Sequence, residues 1–148
     1  MPALSTALAP AHVELLAAAR RATLATIAPN GRPRLVPIAY ALDTTTEVIY
    51  SALDEKPKSV NDPRRLARVR DVVARPRVTL LVDHWSEDWT QLAWLRLEGD
   101  ATILEADTDE HAHALRLLRA RYEQYASHAL EARPVLRIGV TRALGWSA

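Results

Sequence analysis

Apolar positions along this chain follow two rhythms, one near 3.6 residues and one of two, and the switches between them mark out its elements. Val13 and Leu16 with flanking alanines give Pro10 to Arg20 the spacing of a first helix. Ala22 to Ala28 (ATLATIA) and Pro33 to Leu42 (PRLVPIAYAL) are β-like runs on either side of Pro29-Asn30-Gly31-Arg32, the pattern of a hairpin. Glu47 to Ala52 reads as a third strand. Lys56-Pro57-Lys58 and Asn61-Asp62-Pro63 then read as loop, because proline restricts both itself and its predecessor. Arg64 to Arg75 is expected to be a helix with Leu66, Val69 and Val73 on its apolar side, stopped by Pro76.

Val78 to Val82 is a β-branched and leucine run expected to form a buried strand. Ser86-Glu87-Asp88 marks a turn, and Gln91 to Glu105 a long strand. Asp107 opens a helix to about Ala126, with acids in its first turn and Leu115, Leu118 and Tyr122 as its stripe. Val135 to Leu144 is the last strand. No repeat or linker interrupts the pattern, so residues 1–148 are read as one domain of class α+β. It would hold about six mainly antiparallel strands and about three helices, as an open sheet or a small barrel.

Two strand faces bear on function. Val36, Ile38 and Tyr40 point one way, and Leu35, Pro37, Ala39 and Ala41 the other. The small second face suits either a flat ligand or a packed helix, and Pro37 belongs at an edge or bulge because it cannot donate to a ladder. In the long strand, Ala93, Leu95 and Leu97 form the apolar face, which leaves Trp94 opposite, beside Leu92, Arg96 and Glu98, at an interface or ligand.

Charge sharpens the picture locally. The chain is nearly neutral at +1, yet Lys56 to Asp83 holds Lys56, Lys58, Arg64, Arg65, Arg68, Arg70, Arg75 and Arg77 against Asp62, Asp71 and Asp83. Lysines just before a helix and arginines at three- and four-residue spacing suit a phosphate or polycarboxylate. A solvated helix face is the plainer alternative. The low total charge argues against a nucleic-acid surface.

The chemistry is defined largely by what is missing. There is no cysteine, hence no disulfide or thiolate site, and Gly31, Gly99, Gly139 and Gly145 form neither GxGxxG nor a P-loop. His111 and His113 are two apart on a helix and cannot chelate together, so no metal is expected. No serine sits in a G-x-S-x-G elbow. His84, at a strand end beside Trp85, is the one suggestive histidine. No catalytic residue is assigned and no nucleophile is expected; a cofactor would carry the reaction. The N-terminus lacks a signal-peptide pattern and no run approaches the ~20 apolar residues of a membrane span, so a cytoplasmic protein is expected.

The order of parts resembles a known superfamily. Gly31-Arg32-Pro33, Lys56-Pro57-Lys58, Arg75-Pro76-Arg77-Val78 and Leu80-Leu81-Val82-Asp83-His84-Trp85 occur in the sequence of the FMN-binding split β-barrel proteins related to pyridoxamine 5′-phosphate oxidase. The nearest likeness is to their PPOX-class, coenzyme F420-dependent branch. That resemblance implies a homodimer with cofactor sites at the interface, and either F420 or FMN as cofactor. Lys56, Lys58, Arg65 and Arg68 would meet its phosphate and Val36, Pro37 and Ile38 its ring. Trp85, Trp89 or Trp94 would wall the ring, with Trp146 at the far end. It also admits a non-catalytic carrier of flavin, deazaflavin or haem. Many relatives have Arg-Asn where this chain has Arg70-Asp71, and Asp71 is expected to pair with Arg68 or Arg75. The chain ends at Ala148 without the C-terminal substrate segment of true pyridoxamine phosphate oxidases, so that particular activity is not expected.

Overall fold

The computed structural model describes residues 7–53 and 62–148, and within them the two ends of one antiparallel sheet are consecutive in the chain. Helix α1 (Pro10–Ala18) precedes strands β1 (Ala22–Ile27), β2 (Pro33–Ile38), β3 (Ala41–Asp43) and β4 (Val48–Ala52). Helix α2 (Ala67–Ala74), strands β5 (Arg77–His84) and β6 (Ala93–Leu104), helix α3 (Asp109–Arg121) and strand β7 (Val135–Ser147) complete the α+β fold. The sheet order is β2-β1-β5-β6-β7-β4-β3. Among the described residues β2 and β3 do not pair with each other, so the sheet stops short of a closed barrel.

The seventh strand arises because the run Pro33 to Leu42 is two strands and not one. Pro33 and Pro37 lack N–H donors, which suits β2 to an edge, as expected for Pro37. The chain then leaves the ladder at Tyr40, whose backbone N–H donates to the Tyr122 hydroxyl (3.0 Å) while that hydroxyl donates to the Tyr40 carbonyl (3.0 Å). The Tyr40 hydroxyl donates to the Leu16 carbonyl at 2.6 Å. These bonds replace the ladder bonds a continuous strand would have made. The small face of Pro37, Ala39 and Ala41 is broken with it: Ala41 is buried and Ala39 half-buried against α3, so there the alanines make room for a helix.

The hairpin of β1 and β2 forms as expected. Gly31 has φ +82°, donates to the Ala28 carbonyl at 2.8 Å, and takes the left-handed position a three-residue turn requires. Helix α3 begins at Thr108, whose hydroxyl accepts from the His111 N–H (3.1 Å), with Asp109 and Glu110 in the first turn. It ends at Arg121 rather than near Ala126. Tyr122 is extended, its hydroxyl bound to the Tyr40 backbone, and Glu123–Ser127 forms a 3₁₀ turn. Arg121 reaches back to the carbonyls of Leu16, Ala17 and Ala19, capping α1.

The basic helix is shorter than its sequence suggested. Pro63–Arg65 is a 3₁₀ turn capped by Asp62, and Leu66 is extended, so α2 starts only at Ala67. This break shifts the helical phase. Val69 and Val72 are buried, whereas Val73 lies on the exposed side, contrary to the expected stripe. Asp71 also points inward, only 2% exposed. It accepts from the Thr26 hydroxyl and from Arg34 Nε, both at 2.8 Å, and thereby ties α2 to β1 and β2. The expected pairing of Asp71 with Arg68 or Arg75 is not what forms, because residue 71 faces the sheet and Arg75 lies beyond the helix end.

One face of the sheet packs the main core, with Leu24, Leu80, Leu95, Leu97, Leu136 and Ile138 against Leu16 of α1 and Val72 of α2. Gly99 sits at a β-bulge where an added Cβ would meet the Gly139 carbonyl oxygen at 2.7 Å. The other face has two fates. At the β3-β4 end, α3 covers it with Ala114, Leu115 and Leu118 against Val48, Tyr50 and Val135. Across β2, β1, β5, β6 and the second half of β7 it is open.

Candidate functional site

Strand register assembles the open face. Pro37, Thr23, Leu81, Arg96 and Leu144 are successive partners across β2, β1, β5, β6 and β7, so their side chains share one side. The next row is Asp83, Trp94 and Trp146. Leu81 is 43% exposed, and β5 is thus buried on one face only, not the fully buried strand expected. Its inner residues are Val78, Leu80 and Val82, and its outer ones Thr79, Leu81 and Asp83.

These rows frame a cleft of about 430 Å³ lined by Leu81, Asp83, His84, Trp85, Leu92, Ala93, Trp94, Arg96 and Trp146. Trp85 (63% exposed) and Trp146 (47% exposed) stand at its margin. The β5–β6 connection carrying Trp85 and Trp89 is fixed locally. Ser86 Oγ accepts from the Asp88 N–H (3.1 Å), and Asp88 Oδ1 accepts from the Thr90 N–H (3.1 Å) and hydroxyl (2.7 Å). The Thr90 bonds hold the Asp88 carboxyl below its ordinary range. The Arg96 guanidinium lies over the Trp94 ring, 5.8 Å from its centroid.

The basic pole sits beside β1, β2 and β6. Among the described residues no side chain caps the N-terminus of α2 and no acid occupies its first turn, which leaves that end electropositive. Arg68 is half-buried in the first turn and Arg65 is exposed on the preceding 3₁₀ turn. The helical spacing expected to align Arg64 and Arg65 with Arg68 is lost at Leu66, and Arg64 instead pairs with Glu105. Lys56 and Lys58 lie outside the described residues.

The expected site residues thus fall into groups. Trp85, Trp94 and Trp146 share one cleft; Trp89 is exposed on the adjoining loop. Of the three β2 residues, Pro37 is on the open face, while Ile38 and Val36 turn into the core. Pro37 is three strand spacings from Trp94, roughly 14 Å. Within one chain, the edge of β2 and the tryptophan cleft are therefore separate parts of one face. Sequence reasoning placed Arg96 on the face of Trp94 without giving it a role, and missed Arg34 and Asp83. The strict alternation Thr79-Leu81-Asp83 opposite Val78-Leu80-Val82 was the signal for a one-sided strand.

Among the described residues no group of three His, Asp or Glu side chains gathers as a metal site would require, and no helix is long and apolar enough to cross a membrane. His111 and His113 point apart as expected, Nε2 of the first lying 2.7 Å from the Arg133 carbonyl oxygen and that of the second 2.7 Å from Asp43 Oδ2.

The sequence profile described as pyridoxamine 5′-phosphate oxidase matches residues 8–147. Solved structures share the fold. Rv2991, a conserved hypothetical protein of Mycobacterium tuberculosis, superposes with a TM-score of 0.72 at 22% identity, over 95% of this chain and 85% of that one. HutZ, the haem storage protein of Vibrio cholerae, gives 0.67 at 13% identity, over 96% and 95%. A structure named F420 reductase gives 0.63 at 18% identity, over 93% and 98%. No curated protein is detectably similar in sequence.

Proposed function

The chain belongs to the pyridoxamine 5′-phosphate oxidase family, and we propose that within it this protein is a coenzyme F420-dependent oxidoreductase acting on a small unsaturated or quinone-like substrate. The observation that carries this reading is the presence on one sheet of an electropositive helix end, on the core side, and an open, tryptophan-walled cleft on the opposite face, two surfaces that a second copy would bring to one ligand. A ligand with an anionic tail and a flat ring needs those two surfaces. The F420 reductase of the same fold supports the choice of deazaflavin. A long anionic tail also suits a cluster of several cations better than the single phosphate of FMN does.

Bound F420 supplies the hydride chemistry. The chain's own residues bind, orient and exclude water. Arg65 and Arg68, with Lys56 and Lys58, hold the anionic tail by charge-assisted hydrogen bonds. The edge of β2 from Val36 to Ile38 presents backbone and the Pro37 ring to the flat system. Trp85 and Trp94 of a second copy close over it, which makes the active species a homodimer. The His84 side chain lines the cleft without a hydrogen-bond partner among the described residues, which supports reading it as a proton donor to the reduced product.

Fluorescence titration of the apo protein with F420, and with FMN in parallel, tests the proposal. Micromolar or tighter binding of F420, weakened about tenfold by Arg68→Ala, is expected. Preference for FMN, or no binding of either, rejects it. A protein of this fold named for haem storage motivates a third arm with haemin. Tight haemin binding without F420 binding would place the chain among carriers.

A further inference from the structure

The tryptophan cleft contains one cation and one acid that do not neutralise each other. Arg96 is the cross-strand partner of Leu81, and Asp83 that of Trp94, so Arg96 and Asp83 are diagonal neighbours about 7–8 Å apart at Cα. Opposite charges on that diagonal would ordinarily reach an ion pair. Here the Arg96 guanidinium lies instead over the Trp94 ring, and neither the Arg96 nor the Asp83 side chain makes a hydrogen bond or ion pair with any described residue. Elsewhere the chain does pair such groups: Arg34 with Asp71, Arg64 with Glu105, Arg119 with Glu131 and Arg137 with Glu110. A guanidinium over an indole is attracted by the ring face and keeps its N–H donors available to an oxyanion. The surrounding apolar walls of Leu81, Leu92, Ala93 and Trp146 lower the local dielectric and strengthen that attraction.

We infer that the cleft selects planar aromatic acids, with the anionic substituent on the Arg96 fork and the ring against Trp94 and Trp146. The inference rests on reading this cleft as the acceptor side of the proposed site, and it names the acceptor class as aromatic anions rather than neutral aromatics. Asp83, on the next row, sets the polarity: it repels a second anionic group there and accepts from a hydroxyl or amine at the far end of the ring.

The test compares an isosteric pair by calorimetry on the full-length apo protein: 2-naphthoic acid, ionised at pH 7, and the neutral 2-naphthamide. The naphthoate is expected to bind about tenfold tighter, the difference a charge-assisted contact makes. Arg96→Gln should bring the two affinities together by weakening the naphthoate alone, and Arg96→Lys should recover part of the preference. Equal affinities in the parent, no binding of either compound, or a preference that survives Arg96→Gln overturns the inference. A naphthoate preference in a protein that binds no F420 rejects the deazaflavin alone. F420 binding without the preference rejects the aromatic-acid inference alone.

Discussion

Strand β7 runs through two environments. Its first half, Val135 to Ile138, is buried between the main core and α3; its second half, from Thr141 onward, leaves that cover and exposes Leu144 and Trp146. Both halves pair with β6 in the same ladder. The first half also pairs with β4, from Val135 to Gly139, whereas the second half has β6 as its strand partner, so both the ladder and the outer layer change along the strand. At the covered end, α3 brings Leu115 and Leu118 down on Tyr50 and Val135. At the open end the sheet carries leucine and tryptophan with nothing among the described residues packed above them. Contiguous apolar surface of that kind marks an interface or a ligand site. The covered half is a solved packing problem, and the open half leaves Leu144 and Trp146 exposed.

Truncations measure the contrast most directly. Leu118→Ala, fully buried under α3, is expected to cost about 2–5 kcal/mol in urea denaturation. Leu144→Ala on the open half should stay within about 0.5 kcal/mol for the isolated chain. A large, concentration-dependent loss from Leu144→Ala would show the open half buried by a second copy, as the proposed homodimer requires. Leu81→Arg sharpens that point: placing a charge in the row shared with Arg96 and Leu144 should halve the mass seen by light scattering. An unchanged mass would mean that the copies do not meet through this face.

Much of this was legible because alternation and punctuation agreed. The Asn-Gly hairpin, the inward face of β6, the edge position of Pro37 and the start of α3 follow from local residues and recur in the fold. Two of the failures share one cause, a tertiary partner taking over a local bond. Tyr122 claims the Tyr40 backbone and splits one expected strand into two. Asp71 leaves its neighbouring arginines for Arg34, a residue on another element altogether. Of the candidate site, the aromatic residues and Arg96 were visible as outward positions, but the meeting of Arg96 with Asp83 was not. Only strand register puts them in one cleft.

Asp71 also divides stability from binding. Asp71→Ala removes two hydrogen bonds to a buried carboxylate and leaves the Thr26 hydroxyl buried without its acceptor, so a loss of about 2–3 kcal/mol is expected. Arg34 is 42% exposed and can return to water, which limits the cost. Naphthoate affinity in the cleft should not change, because β5, β6 and β7 carry its contacts. A parallel loss of that affinity would mean that α2 and the cleft are coupled.

The smallest expected effect lies in pH, and it again separates the two ends. The Tyr50 hydroxyl is pushed up to about 12 by burial and by its bond to Glu110, and Tyr40 is pushed up to about 12 by burial, partly offset by Arg121. Both lie at the α3 end or at its seam with α1. The folded chain holds these protons more tightly than the unfolded chain, whose tyrosines ionise near about 10. The stabilisation is therefore complete below that pH and is lost as the pH rises toward 12. On the acid side the sign reverses. The His113 bond lowers the Asp43 carboxyl and the Arg137 bond lowers that of Glu110, so their contribution is present above the ordinary carboxylate range and disappears as the pH falls through their depressed values. Tyr50→Phe should flatten the alkaline limb of a stability–pH curve at a cost of about 1 kcal/mol near neutrality. Leu144→Ala, on the open half, should leave both limbs in place. If it moves either one, the two halves of β7 are not the independent regions that their packing describes.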